Sequence, residues 1–257
     1  MSEPILVFDS GIGGLSVLSE IRKLLPNRDY HYLFDNARLP YGNLSEEDLI
    51  EGCVELILQQ VHQINAAIVV VACNTASTLV LPRLRASLSI PVVGVVPAIK
   101  PAAALSAKKH IGLLATPGTV KRDYTQELIN EFADDCKVEL FGSSELVMMA
   151  EKYVAGEIID LVELALILQP IKDADIDVLV LGCTHFPIIA AKINQILGNH
   201  VKLLDSGLAI ANRVKTLVAM SNKQGSELTV SYTKQISTGL YKALVGYGFT
   251  SVKQITD

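Results

Sequence analysis

Two cysteines stand where a reactive group would be most useful. Cys73 follows Val69-Val70-Val71-Ala72 and leads into Asn74-Thr75; Cys183 follows Val178-Leu179-Val180-Leu181-Gly182 and leads into Thr184-His185-Phe186-Pro187. Apolar runs of this kind, rich in β-branched residues, predict strands buried on both faces. In an open α/β sheet ligands bind beyond the carboxyl ends of the strands, so both thiols are expected at sites of chemistry. Each has a candidate proton-handling neighbour: Asp9 at the end of the strand Ile5–Phe8, and His185 two residues after Cys183. An imidazolium, or the free N–H groups of a helix start, lowers a thiol's pKa and makes it a usable base.

Singly, these residues have ordinary explanations. A cysteine after a buried strand is commonly an inert small hydrophobe, Asp9 a helix cap and His185 a satisfied loop imidazole. Together they form two thiols at matched strand ends, each beside a possible proton carrier. Zinc would use Cys73, Cys183, His185 and Asp9, but a Cys-x-His pair fits the usual ligand spacings poorly. A papain-like nucleophile leaves the second thiol without a role. A two-lobed binding protein explains two similar halves but not why both strand ends carry thiols. Inverting a carbon centre by proton removal explains both, since it needs a base on one face and an acid on the other.

The surrounding elements must place these groups. Asp9-Ser10-Gly11-Ile12-Gly13-Gly14 is a tight strand-to-helix turn, followed by a helix over Leu15–Leu25; it lacks the G-x-G-x-x-G spacing, and no P-loop is present. A strand over Asp29–Phe34 leads to a polar loop with Pro40-Tyr41-Gly42, then a helix capped near Ser45 and running to about Gln63. Strands at Ala67–Ala72 and Pro91–Val96 flank a helix around Thr78–Ser87. The pattern restarts at Ile111, where Leu114-Ala115-Thr116-Pro117 falls on Phe8-Asp9-Ser10-Gly11. From Asp9 to Cys73 is 64 positions and from Ala115 to Cys183 is 68, which predicts a tandem duplication. The second half is expected to hold a strand at Lys137–Phe141, helices at Glu145–Tyr153 and Glu157–Leu168, the Cys183 strand, a helix to Leu197 and a strand at Val201–Leu204. Asp205-Ser206-Gly207 repeats the tripeptide at 9–11. A tail of helix (Leu208–Met220), strand (Leu228–Thr233), helix (Gly239–Tyr247) and strand (Ser251–Gln254) should pack back on the first half. The expected fold is thus two pseudo-symmetric open α/β domains with mainly parallel sheets, residues 1–97 plus 206–257 and residues 98–205, with the site in the crevice between them.

Composition fits a globular protein. Of 257 residues half are apolar, and the net charge of −5 argues against a nucleic-acid or anionic-membrane surface. Met1-Ser2-Glu3-Pro4 runs at once into a strand, without the charged and apolar regions of a secretory leader, and no apolar run approaches membrane-spanning length. A cytoplasmic protein is expected, with its four cysteines reduced. Cys53 falls inside a helical apolar pattern and reads as core; His31, His62, His110 and His200 read as structural.

Asp9-Ser10-Gly11, Pro40-Tyr41-Gly42, Cys73-Asn74-Thr75-Ala76 and Gly182-Cys183-Thr184-His185-Phe186-Pro187 resemble, in this order and spacing, the motifs of the glutamate racemases, over essentially the whole chain. The related aspartate racemases typically carry Glu where this chain has His185. The resemblance implies cofactor-independent interconversion of L- and D-glutamate for peptidoglycan, with Cys73 and Cys183 as the two acid–bases and Asp9 and His185 assisting. It implies that Ser10, Pro40, Tyr41, Gly42, Asn74, Thr75 and Thr184 hold the substrate, with Glu151 as an additional acidic residue. Family members often dimerise, so a homodimer is an open expectation, and racemisation of another acidic amino acid such as aspartate is the alternative.

Overall fold

The computed structural model describes residues 3–218 and 225–255. The first half runs β1 (Ile5–Asp9), α1 (Leu15–Leu24), β2 (Tyr30–Phe34), α2 (Glu46–Ile64), β3 (Ile68–Val71), α3 (Asn74–Ser87) and β4 (Val92–Gly94). The second runs α4 (Ile99–Leu105), β5 (His110–Ala115), α5 (Pro117–Lys121), α6 (Asp123–Phe132), β6 (Lys137–Gly142), α7 (Glu145–Val154), α8 (Leu161–Asp173), β7 (Val178–Leu181), α9 (Ala190–Leu197) and β8 (Lys202–Leu204). The tail supplies α10 (Gly207–Val218), β9 (Leu228–Tyr232), α11 (Thr238–Tyr247) and β10 (Ser251–Gln254).

Two parallel sheets result. One has the order β10-β9-β2-β1-β3-β4, the other β6-β5-β7-β8. The order β2-β1-β3-β4 of the first half recurs as β6-β5-β7-β8 in the second, as a duplication requires. The tail adds β9 alongside β2, in register from Tyr30↔Leu228 to Phe34↔Tyr232, and so extends the first sheet. Burial follows position in the sheet. β1, β3 and β7 are buried at every residue, whereas the edge strands β6 and β10 are mostly half-buried or exposed. Continuous apolar runs mark strands covered by helices on both faces, which is why these three are the most legible in the sequence. Apolar clusters cover both faces of each sheet, and Cys53 packs at 0% exposure in the one beneath α2.

Four elements differ from the sequence reading. α3 begins at Asn74, with Cys73 in the N-cap position, four residues earlier than expected. The apolar periodicity starts at Thr78, but the first turn is fixed by tertiary contacts of Thr75 and Ser77. α8 begins at Leu161, not Glu157, because the Asp160 carboxylate accepts the Val162 and Glu163 N–H groups and sets the start there. Residues 117–132 form α5 and α6, which the periodicity does not single out. The predicted ending of α10 at Met220 lies outside the described residues.

His31 is a buried polar residue of β2, with Nδ1 2.8 Å from the Thr229 hydroxyl, and burial lowers its pKa from near 6.5 to about 4. The unfolded chain therefore takes up a proton that the native protein refuses as the pH falls through that window, and stability is lost as pH drops. By about pH 4.5 the loss is expected to reach roughly 2–3 kcal/mol. Urea unfolding of wild type and His31→Leu at pH 7.5 and pH 4.5 checks this. The wild type should lose more stability between the two pH values by that amount, and equal losses would contradict it.

Candidate active site

β1 delivers Asp9 to the bottom of the crevice, fully buried. Its Oδ1 accepts the Ser10 N–H at 2.7 Å and the Ser10 hydroxyl at 3.4 Å, and its Oδ2 accepts the Thr184 hydroxyl from the other half at 3.0 Å. Burial raises the Asp9 pKa, against the opposing pull of His185 and these donors. β3 ends two residues before Cys73, whose sulfur lies 3.8 Å from Ser10 Oγ at the start of α3. Burial, and then the charge of Asp9, push the Cys73 thiol well above its ordinary range, while the Ala76 N–H favours its thiolate. Left alone, Cys73 rests protonated.

β7 ends two residues before Cys183. No α-helix follows directly: Phe186–Ile189 is a short 3₁₀ turn, and α9 starts only at Ala190. The second thiol therefore has an imidazole where the first has a helix start. Cys183 Sγ is 3.6 Å from His185 Nδ1, and His185 Nε2 is 2.7 Å from Glu151 Oε1 on α7. Burial opposes a charge on His185, but its hydrogen bonds to Cys183 and Glu151 prevail, and the imidazole pKa stands well above 6.5. A protonated His185 is the natural counter-ion of a Cys183 thiolate. The same Glu151 oxygen accepts the Ile12 N–H at 2.8 Å, so it ties the β1 turn to the second half. Glycine is required there: a Cβ on Gly11 would lie 2.0 Å from Glu151 Oε1, and one on Gly13 2.4 Å from His185 Nδ1.

A cluster of hydroxyls bridges the two halves. Thr75 Oγ1 lies 2.9 Å from Thr116 Oγ1 and 3.2 Å from Thr119 Oγ1, and the latter two are 3.0 Å apart. Thr116 and Thr119, at the start of α5, are absent from the sequence-predicted set. The repeat carried a signal for Thr116, which falls on Ser10; nothing local marks Thr119. Asn74 is 4% exposed, and its Oδ1 has no hydrogen-bond partner. Gly42 packs on α5, where a Cβ would lie 2.7 Å from Thr116 Cβ, with half-buried Pro40 beside it. The Tyr41 hydroxyl is turned away, donating to Asp35 Oδ2 at 2.6 Å, and Asp35 also takes Arg38 and Thr233. From this loop the crevice is thus presented with backbone, not the Tyr41 phenol.

The structure brings Cys73, Ser10, Asp9 and Thr184 into one hydrogen-bonded chain, and Cys183, His185 and Glu151 into a second. The sulfurs are near enough for the charge of Cys183 to raise the pKa of Cys73. The cavity that touches Asn74, Cys183 and Thr184 has a volume of about 10 Å³, the space of one water at most. Asp9, Cys73, Thr75, Cys183, Thr184 and His185 are all buried, so little of the site reaches the surface. Among the described residues, no three His, Cys, Asp or Glu side chains converge as a metal site requires. Such an arrangement can take a proton from one face of a carbon and return one to the other.

Residues 5–214 match the family described as Asp/Glu/Hydantoin racemase. The chain is 66% identical over its whole length to a glutamate racemase of Shewanella frigidimarina, 99% of which is covered. It is similar in structure to Escherichia coli glutamate racemase in complex with L-glutamate and the activator UDP-MurNAc-ala, with a TM-score of 0.93 and 44% identity, covering 99% of this chain and 98% of that one. It is also similar to the Francisella tularensis glutamate racemase in complex with D-glutamate, with a TM-score of 0.81 and 26% identity, covering 99% and 98%. With two duplicated sheets, paired thiols and a match over most of its length, the chain belongs to the Asp/Glu/hydantoin racemase family.

Proposed function

We propose that this protein interconverts L- and D-glutamate by passing the α-proton between two thiols, with no cofactor, and so supplies D-glutamate for peptidoglycan. The observation that carries the reading is the placement of Cys73 and Cys183 at equivalent strand ends of two halves that close into one dry crevice, each with its own proton partner. The names of the relatives, glutamate racemases at up to 66% identity, supply the substrate.

The surroundings of the two thiols suit the reaction. Cys183, paired with protonated His185, is the base; Cys73, held protonated by burial and by Asp9, is the acid on the opposite face. The reverse reaction exchanges the roles. An α-proton of an amino acid is weakly acidic, so the developing carbanion needs fixed donors in a site without water. The hydroxyls of Thr75, Thr116 and Thr119 and the N–H groups at the start of α3 suit a substrate carboxylate. The unpartnered Asn74 Oδ1 suits its ammonium group, because a buried acceptor left unsatisfied costs stability until a donor arrives.

Entry requires the halves to part. The chain crosses between sheets twice, after β4 and after β8, and Ser206 Oγ donates to Val96 O at 2.5 Å where the crossings meet. We take these crossings as the hinge between domains of residues 1–97 plus 206–257 and residues 98–205. No helix among the described residues is long and apolar enough to cross a membrane. All four cysteines are free, which fits a reducing cytoplasm.

In heavy water, early turnover from L-glutamate should put deuterium into D-glutamate and very little into the remaining L-glutamate. The abstracting thiol returns its proton only to the face it came from, while the opposite thiol delivers a solvent-derived one. Chiral chromatography with mass detection reads this, and equal early label in both enantiomers would contradict two bases. Cys73→Ser and Cys183→Ser should each lower racemisation by roughly 10²–10⁴-fold or more, because a hydroxyl is a far weaker acid than a thiol. Asp9→Asn and His185→Asn should cost less than either, since they tune a thiol without reaching carbon. A serine variant at wild-type rate would sink the mechanism.

A further inference from the structure

Arg122 stands between α5 and α6 in the second half, yet its guanidinium reaches into the first. Nη1 donates to the Thr75 carbonyl and to the Thr78 hydroxyl, each at 2.6 Å, and Nε lies 3.4 Å from a Glu46 carboxylate oxygen. The Arg122 side chain is 9% exposed and that of Glu46 is 65% exposed. Its short contacts are therefore two neutral oxygens, while the carboxylate beside it is distant and screened by water. A nearly buried cation normally needs a close counter-charge to offset desolvation. Here burial lowers the guanidinium's pKa, Glu46 acts against that first and Cys73 after it, so Arg122 also lies within electrostatic reach of the thiol.

Its placement is specific. Thr75 presents its hydroxyl to Thr116 and Thr119 and its carbonyl to Arg122, so the guanidinium holds this residue from behind. Opening the crevice would draw α5 and α6 away from α3 and break both short bonds. Closing restores them. We propose that Arg122 is a positioning residue for the racemisation argued above, which latches the halves through Thr75 and sets a positive charge behind the hydroxyls that take a substrate carboxylate. The inference rests on the racemase reading. It assigns to Arg122 the difference between a site that accepts any small amino acid and one that favours a dicarboxylate: the charge, met otherwise only by the water-screened Glu46, gains a second counter-charge when an anion occupies the crevice.

A residue that merely stabilised the fold would lower the amount of active protein and leave KM alone. Substrate binding should suffer here instead. Arg122→Met, of similar length and without charge, should raise KM for both glutamate enantiomers by about tenfold or more, with kcat changed less than about threefold. Arg122→Lys keeps the charge but not the planar guanidinium that reaches Thr75 and Thr78 through Nη1 while Nε faces Glu46, and should raise KM by about threefold. Glu46→Gln, at the screened partner, should change KM by less than about twofold. Wild-type KM in both Arg122 variants, or a fall in kcat alone, would overturn the proposal. Should Arg122→Met fail to fold, Arg122→Lys decides, and an unchanged KM there overturns it. A wild-type protein inert to both enantiomers would overturn the racemase reading and this inference together. An active wild type with an indifferent Arg122 would overturn this inference alone.

Discussion

One carboxylate oxygen holds the two halves in working register. Glu151 Oε1, on α7, accepts the Ile12 N–H of the first half and pairs with His185 of the second. It adds to the hydrogen bond with Cys183, and together the two outweigh the burial that would otherwise drive the imidazole neutral. With both, His185 stays protonated and can balance a thiolate at Cys183. The glycines at 11 and 13 exist for this contact, since any side chain there would occupy the space of Glu151 or His185. Charge state, closure of the crevice and the turn after β1 thus share a single cause.

The rest of the site repeats this logic across the same boundary. Asp9 reaches Thr184, Ser16 Oγ donates to Thr184 O at 2.9 Å, and Thr75 reaches Thr116 and Thr119. Hydrogen bonds to buried polar groups are strong where water is excluded and costly when broken, so closure and the pKa values rise and fall together. Arg122 belongs to the same set on the opposite rim. A two-sheet protein whose halves share such contacts can open for substrate and exclude water when shut.

Duplication explains why two thiols face each other, but the halves have diverged in how they serve them. Cys73 caps α3 and has Asp9 beside it, which pushes its thiol up. Cys183 precedes a 3₁₀ turn and has His185. Equivalent strand ends therefore carry one thiol that rests protonated and one paired with a cation. A symmetric pair would leave both thiols in the same state, with either no base or no acid.

The strands that matter were legible in the sequence because they are buried on both faces, and burial on both faces writes an unbroken apolar run. The chemistry of the strand ends was legible too, since Cys, His, Asp and Thr stand out against those runs and recur at the period of the repeat. Helix starts at Asn74 and Leu161 were less so. The first depends on contacts of Thr75 and Ser77, the second on a single aspartate cap within a patterned stretch. Thr119, the turning of the Tyr41 hydroxyl to Asp35, and Arg122 were not legible at all. Thr119 and Arg122 are defined by Thr75, tens of positions away, and although Tyr41 turns to Asp35 only six positions back, that carboxylate is itself held by the distant Thr233. Local residue types determine which groups are available for chemistry. Which of them touch, and so which carry charge, was decided only when the two halves closed and water was removed from between them.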